Sequence, residues 1–376
     1  MSAQSPCDTI RECFSPIKEP RIDRNKKHLL IDILTIAICA VVSGADDWVA
    51  VAEFGRSKID WLKMYLELPN GIPSHDTFSD VFSRICPKQF KECFLKWVQA
   101  VFEITDGQVI PIDGKTLRRS HDRSGGKAAI HMVSAWASTN KIVLGQVKTE
   151  EKSNEITAIP ELLRLLEIKG CIVTIDAMGC QTEIAAQIIE QGGDYVLALK
   201  GNQSTLHEDV KSFFQDPKLH EDQDIPIHQE ETTDGDHGRI EIRRYRCTSE
   251  IPWLDEKGRW KGLRSICEVE SERHLADDVT CECRYFIASI PPDPKLWAHA
   301  VRGHWGIENE LHWRLDVAFR EDDCRVRKGH GPENFAVLRH IAVNLISREK
   351  STKGSFKAKR YRAALSDQYR LKVLTG

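Results

Sequence analysis

The sequence predicts an α/β protein: a mixed sheet flanked by helices, preceded by a helical domain and interrupted by a β-rich insertion. Three observations lead there. The hydrophobic period changes from helical to extended after Thr105-Asp106-Gly107. Two β-branched runs, Val109 to Ile112 and Ile172 to Ile175, each stop at an aspartate, Asp113 and Asp176. Between and after them, helical and extended patterns alternate, as they do when a sheet is covered by helices.

Residues 1–24 mix prolines and charges without periodicity and read as a loose leader. Residues 25–104 read as a helical accessory domain. His28 to Val42 is apolar and closed by Ser43-Gly44, Trp48 to Phe54 and Arg56 to Leu66 follow, and Leu68 to Pro73 breaks the pattern. Ser74 is an N-cap candidate for a helix to Arg84, and Pro87 to Phe102 puts Phe90, Phe94, Trp97, Val98 and Val101 on one stripe. The core then spans 105–205 and 290–349. Strands are expected at Val109 to Ile112, Ile130 to Ser138, Ile142 to Val147, Ile172 to Asp176 and Asp194 to Asn202. The turn Thr139-Asn140-Lys141 makes an antiparallel hairpin, and helices fall at Asn154 to Leu166 and Thr182 to Glu190. Three antiparallel strands, a helix, a strand, a helix and a strand match the order of the ribonuclease-H-like fold. Residues 206–289 carry short alternating runs separated by turns, read as the β-rich insertion. A helix from Lys295 to Phe319 and another from Glu333 to Glu349 complete the core, and 350–376 reads as a basic tail.

Composition excludes several classes. With 376 residues, 41% hydrophobic and 29% charged, the chain is long enough for two or three domains and is not mainly disordered. A formal net charge of -3 rules out a uniformly basic nucleic-acid binder and leaves local patches open. The twelve cysteines are scattered, and no two-residue-spaced pair recurs to suggest a zinc site, so reduced thiols in a cytoplasmic protein are expected. The longest apolar run, Leu29 to Val42, contains Asp32 and is too short to span a bilayer.

The chemistry centres on acids. Asp113 at a strand end could hold a hard cation, with Lys115, Arg118 and Arg119 suited to a polyanion passing beside it. The alternative is a simple strand-end turn at Gly114 followed by solvated basic residues. On the late helix, steps of four bring His304, Glu308, His312 and Asp316 near one face, with Arg302 and Trp305 at its edge. His304, Glu308 and His312 alone could bind zinc or iron, but that leaves both aspartates unused. Two strand-end aspartates plus a helical glutamate instead suit a pair of cations about 4 Å apart, one activating a nucleophile and one stabilising a leaving oxygen. Arg239 and Arg243 either contact phosphates or pair with Glu241 or Glu230, and Trp260 either stacks on a displaced base or belongs to the core.

Five ordered phrases, Pro111-Ile112-Asp113-Gly114-Lys115, Ile175 to Gln181, Leu197 to Gln203, Asp236 to Arg243 and His304 to Asn309, carry a family resemblance. The chain resembles bacterial insertion-sequence transposases of the DDE class, in the subgroup that includes the H-repeat-associated proteins of Rhs elements. The resemblance covers residues 20 to 348 approximately and implies Asp113, Asp176 and Glu308 as catalytic and metal-binding residues, with Mg²⁺, or Mn²⁺, as cofactor. It implies duplex DNA, both element ends and target, as partner, a homodimer on DNA, no membrane, and a cytoplasmic protein associated with the nucleoid. DNA contacts are expected from Lys115, Arg118, Arg119, Lys200, Asn202, Arg239, Arg243, Arg302, His304 and Asn309. The broader class has a tyrosine, an arginine and a lysine around the glutamate where this chain has Val301, His304 and Leu315. Contacts made by that trio must come from residues such as Arg302, Asn309 or Arg314, or be lost. An inactive DNA-binding relic and a non-specific two-metal nuclease are the alternative functions.

Overall fold

The computed structural model describes residues 8–22, 26–102, 107–121, 129–149, 155–221, 224–236, 239–275 and 278–375. The predicted Thr105-Asp106 turn, the helix start at Asn154 and the His237-Gly238 part of one phrase lie outside them. The chain opens with α1 (Asp8–Phe14), α2 (Leu30–Val42), α3 (Trp48–Ser57), α4 (Ile59–Leu62), α5 (His75–Arg84) and α6 (Pro87–Val101). Then come β1 (Val109–Leu117), β2 (Ile130–Ala137), β3 (Ile142–Thr149), α7 (Glu155–Leu165), β4 (Ile172–Ile175), α8 (Thr182–Glu190) and β5 (Asp194–Leu199). After α9 (Ser204–Gln215) and α10 (Lys218–Glu221) follow β6 (His228–Asp236), β7 (Arg239–Thr248), β8 (Ser265–Leu275) and β9 (Asp278–Ala288). Last are α11 (Pro294–Gly306), a π-helical segment (Ile307–His312), α12 (Trp313–Val317), α13 (Gly331–Arg348), α14 (Phe356–Leu365) and α15 (Asp367–Thr375).

Local chemistry sets the helix starts. Asp47 accepts from the Ala50 N–H at 2.8 Å and Ser74 from Thr77 at 3.3 Å, while Pro87 and Pro294 occupy first turns where no N–H is needed. α2 and α13 are buried nearly all round, so α13 forms the shared centre of the helical part and the sheet. Trp48 stacks on Phe82 at 4.7 Å and meets Phe335 of α13 edge-on at 4.8 Å. The Asn334 amide donates to the carbonyls of Phe82 (2.8 Å) and Ile85 (3.1 Å), tying α13 to the end of α5.

Both chain ends differ from expectation. From Asp8 the leader is ordered: α1 buries Ile10, Cys13 and Phe14 against α6 and α2. The basic tail is two packed helices. Arg360 donates to the Val41 carbonyl and, at 2.8 Å, to Asp46, and Arg370 lies 4.0 Å over the Trp61 ring. Both guanidiniums are buried, because their stems and planes cover aromatic surface while carbonyls and carboxylates take their protons.

The strands form one nine-stranded sheet in the order β3-β2-β1-β4-β5-β9-β8-β7-β6. β3, β2 and β1 are antiparallel, β1, β4 and β5 are parallel, and the remaining pairs are antiparallel. The predicted insertion therefore continues the core sheet through the β5–β9 pair, with Val196 opposite Ala288. Alternation sorts the faces: Val173, Ile175 and Leu197 pack with α7 and α8, while Ile172 and Val196 pack beneath Trp297 and Val301 of α11. β3 is an edge strand whose Val143 N–H and C=O are both met by the Asn344 side chain of α13, at 2.7 and 2.9 Å. No disulfide forms among the described residues, and no helix among them is long and apolar enough to cross a membrane.

Candidate active site

Register brings the two aspartates together. Ile112 and Ile175 are partners in the parallel β1–β4 pair, and the next residue of each strand is Asp113 and Asp176. β4 stops there, but β1 does not. Its antiparallel pairing with β2 continues to Leu117, so Asp113 lies in mid-strand, where the neighbour on one side ends. The strand-end turn at Gly114 is thus replaced by extended backbone. The missing Cβ leaves room there: an added Cβ would press on Glu155 Oε1 of α7 and His131 Nε2 of β2, and those side-chain ends would have to move.

Asp176 caps a short 3₁₀ turn, Ala177–Gly179, accepting from the Met178 N–H at 3.1 Å and the Gly179 N–H at 3.3 Å. The turn is braced by the segment after β5, which ends at Leu199, short of the expected Asn202. Asn202 donates to the Ala177 carbonyl at 2.6 Å and Gln203 to that of Cys180 at 2.9 Å. Asn202 is in this way committed to holding Asp176, while Lys200 is exposed and its charge acts on Asp176.

Glu308 sits on the π-helical segment, and this changes the predicted helix face. A π turn is wider than an α turn, so steps of four no longer line up across it. His304 is turned to Thr174, with Nδ1 3.0 Å from Oγ1, and His312 Nδ1 lies 3.5 Å from Asp113 Oδ2. Asp316 pairs with Lys115, whereas Glu308 and Asn309 are exposed. Burial pushes both histidines down to about 4, so each is a neutral imidazole at neutral pH. A His304–Glu308–His312 zinc or iron site is thereby excluded by orientation.

The acids repel one another. Burial drives the Asp113 carboxyl up to about 7, the charges of Asp176, Glu308 and Glu155 add to this, and the Gly114 N–H opposes it. Asp176 is raised as well, by burial first and then by Glu155. Half-buried carboxylates of like charge with hard oxygen donors are what a divalent cation would neutralise, so donor chemistry and field both fit one. As the side chains stand, no three His, Cys, Asp or Glu groups among the described residues converge on a metal position.

Beside Glu308 opens a cleft of about 340 Å³, lined by Arg239, Arg243, Arg273 and Arg284 from the insertion and by Trp305 and Asn309. Arg284 lies 4.5 Å over the Trp305 ring. Arg243 pairs with Asp234 at 2.8 Å and Glu241 at 2.7 Å, Arg239 approaches Glu241 at 3.7 Å, and Arg302 pairs with Asp234. Pairing with Glu241, one of the two readings from sequence, is therefore present, but it runs along β7, and the cross-strand partner of Arg243 is Asp234 of β6. Arg118 and Arg119 reach Asp322 and Asp323 at 3.2 Å from the surface. Lys115 is not at the surface. Its ammonium is buried between Asp316 and Glu321, the latter at 3.0 Å, and Trp260 is a core residue. A second cleft of about 530 Å³, around Trp48, His75, Arg320 and Asp323 to Lys328, contains none of the three acids.

Sequence reasoning missed Glu155, His131, Arg273 and Arg284. Glu155 looks like an ordinary first-turn acid. The arginines are separated from Glu308 in sequence and reach it only through strand pairing; Gly114 beside an aspartate in a strand was the one available signal.

Known proteins share this sequence over most of its length. Residues 102–345 match the model of the transposase DDE domain and residues 11–98 that of the associated domain. The "H repeat-associated putative transposase YhhI" of Escherichia coli (strain K12) is 43% identical over 373 residues, covering 98% of each chain. The "Putative transposase YncI" of Escherichia coli O157:H7 is 44% identical over 388 residues, covering 100% of this chain and 96% of its own. A piggyBac transposase synaptic complex with hairpin DNA overlays at a TM-score of 0.43 and 12% identity, covering 100% of this chain and 83% of that one, a likeness too slight to argue from. With matches over nearly its whole length, this chain belongs to the DDE transposase family, alongside the H repeat-associated transposases.

Proposed function

We propose that the protein is a DNA transposase, cutting at insertion-element ends and joining the freed 3′-hydroxyls to target DNA at one centre of Asp113, Asp176 and Glu308. The observation that carries this is the Ile112–Ile175 register, which puts two half-buried, charge-stressed aspartates at successive positions of paired strands in a chain of the DDE family. The strand order β3-β2-β1-β4-β5 with α7 and α8 on one face supports a ribonuclease-H-like core, with 25–104 as accessory domain and 206–289 as insertion. Magnesium, or manganese in its place, held by the three carboxylates would activate the attacking water or hydroxyl and stabilise the leaving oxygen.

The chain's own groups divide the remaining work. Arg239, Arg243, Arg273 and Arg284 take phosphates in the cleft beside Glu308, and Lys200, Arg118, Arg119, Arg302 and Asn309 extend the track. Most of these cations already have acidic partners, which hold them oriented until DNA displaces the carboxylates. Lys115 and His304, both largely covered, fix β1 and α11, and the exposed Asn202 fixes the Asp176 turn. The protein works in the cytoplasm on the nucleoid, as a homodimer that brings two element ends together.

The test is cleavage and joining of a duplex carrying the element end, with Mg²⁺. Wild-type protein should produce nicked and joined products, and Asp176→Ala none. If the two are indistinguishable, the protein is a DNA-binding relic rather than an enzyme. If random duplex is cut as fast as the element end, it is a general nuclease.

A further inference from the structure

Glu155 is the least explained acid near the site. It begins α7, on the face of the sheet opposite α11, yet its charge is felt by both Asp113 and Asp176. Residues 112 and 114 share the α7 face of β1, and Gly114 presents no side chain there. Into that gap come Glu155 Oε1 and His131 Nε2, closer than any Cβ would permit. The glutamate thus reaches the backbone beside Asp113, at the point where β4 has ended.

Its position is set by a relay. His131 Nε2 lies 2.5 Å from Glu155 Oε1, and His131 Nδ1 lies 2.9 Å from Thr116 Oγ1. Facing a carboxylate, Nε2 is the donor, and the ring bridges Glu155 to the Thr116 hydroxyl through its other nitrogen. Thr116 and His131 are register partners across β1 and β2, so the relay is built into the sheet. Both His131 and Glu155 side chains are nearly nine-tenths buried, which fixes them, and no described hydrogen bond uses Glu155 Oε2. A surface helix-start acid needs neither a buried histidine behind it nor a glycine opposite.

We propose that Glu155 is a fourth carboxylate of the Asp113–Asp176 cation site, aimed through the Gly114 gap by His131 and Thr116. This rests on the metal-dependent reading above. A carboxylate entering from the α7 side complements Glu308, which enters from the α11 side. A cation would then be held from both faces of the sheet before DNA arrives, with exposed Glu308 left to adjust to the substrate.

The experiment uses full-length protein without DNA, titrated with Mn²⁺ and followed by the electron paramagnetic resonance of free Mn²⁺, alongside melting curves in EDTA and in Mn²⁺. Glu155→Gln should weaken Mn²⁺ binding about ten- to hundredfold. It should also raise the melting temperature in EDTA, by removing one repelling charge, and shrink the upward shift that Mn²⁺ gives. His131→Gln should weaken binding less, since it loosens the acid without removing it. A structural Glu155 would give the reverse pattern for Glu155→Gln: a lower melting temperature in EDTA and an intact Mn²⁺ shift. That result, or wild-type affinity in Glu155→Gln while Asp113→Asn and Asp176→Asn lose Mn²⁺, overturns the inference alone. Wild-type protein that binds no Mn²⁺ overturns the metal-dependent reading with it.

Discussion

Asp113 is held at a cost to the fold. Its carboxyl stands at about 7 against an ordinary 3.8, so the folded state prefers it protonated, and ionising it destabilises the protein progressively as pH rises between those values. Asp113→Asn should therefore raise stability by more than about 1 kcal/mol at pH 8, while abolishing DNA cleavage. Urea unfolding at pH 8, with the cleavage assay alongside, checks both halves. His340 shows the opposite pH behaviour. Burial first, with the charges of Arg339 and Lys115 and against that of Glu321, pushes it down to about 4 from 6.5, so the unfolded chain takes up a proton that the folded one refuses. Stability from this group is complete above pH 6.5 and drains as pH falls toward 4. His340→Phe should flatten that slope by on the order of 2 kcal/mol, read from urea midpoints at pH 7 and pH 4.5. At this scale the sequence was informative about chemistry and uninformative about direction. Asp113, Asp176 and Glu308 were found as acids on regular elements, but nothing in Lys115 or Arg360 as residue types told that their charges turn inward.

Among elements, periodicity succeeded where each strand or helix had one apolar face and failed where backbone geometry departed from its class. The five core strands and their two helices were legible. The true length of β1 was not, because Asp113-Gly114-Lys115 breaks an apolar run in the way a turn does, while the pairing that keeps it extended comes from β2. Likewise the π-helical segment carries no residue that announces it. α13 shows how one side chain joins two elements. Asn344 meets both the N–H and the C=O of Val143, so Asn344→Leu leaves two buried backbone groups of β3 without partners. A loss of about 2 to 4 kcal/mol is expected, with faster amide exchange at Val143 than at the centre of β2. Unchanged exchange there would mean that water replaces the amide.

For the whole molecule, residues 206–289, read from sequence as an insertion, supply four of the nine strands of one continuous sheet. Pairing between β5 and β9 is non-local, and no pattern within either strand encodes it. Replacing residues 206–289 by a short linker should consequently give insoluble protein rather than a smaller folded core, because β5 loses its partner. A soluble, cooperatively melting product would show that the strands form a separable domain. The packed C-terminal helices carry the same lesson: Arg360 and Arg370 seal the floor of α2 and α4, a role no terminal run of basic residues discloses.

The same β5–β9 seam has a bearing on how the protein is made. A ribosome delivers β1 to β5 first, and the rim of β5 then stays bare through the synthesis of α9, α10 and three further strands. Glu308 emerges later still. A nascent or prematurely terminated chain thus has an open, sticky sheet border that makes it prone to chaperone capture or aggregation, and under the proposed function it lacks one of the acids needed to cut DNA.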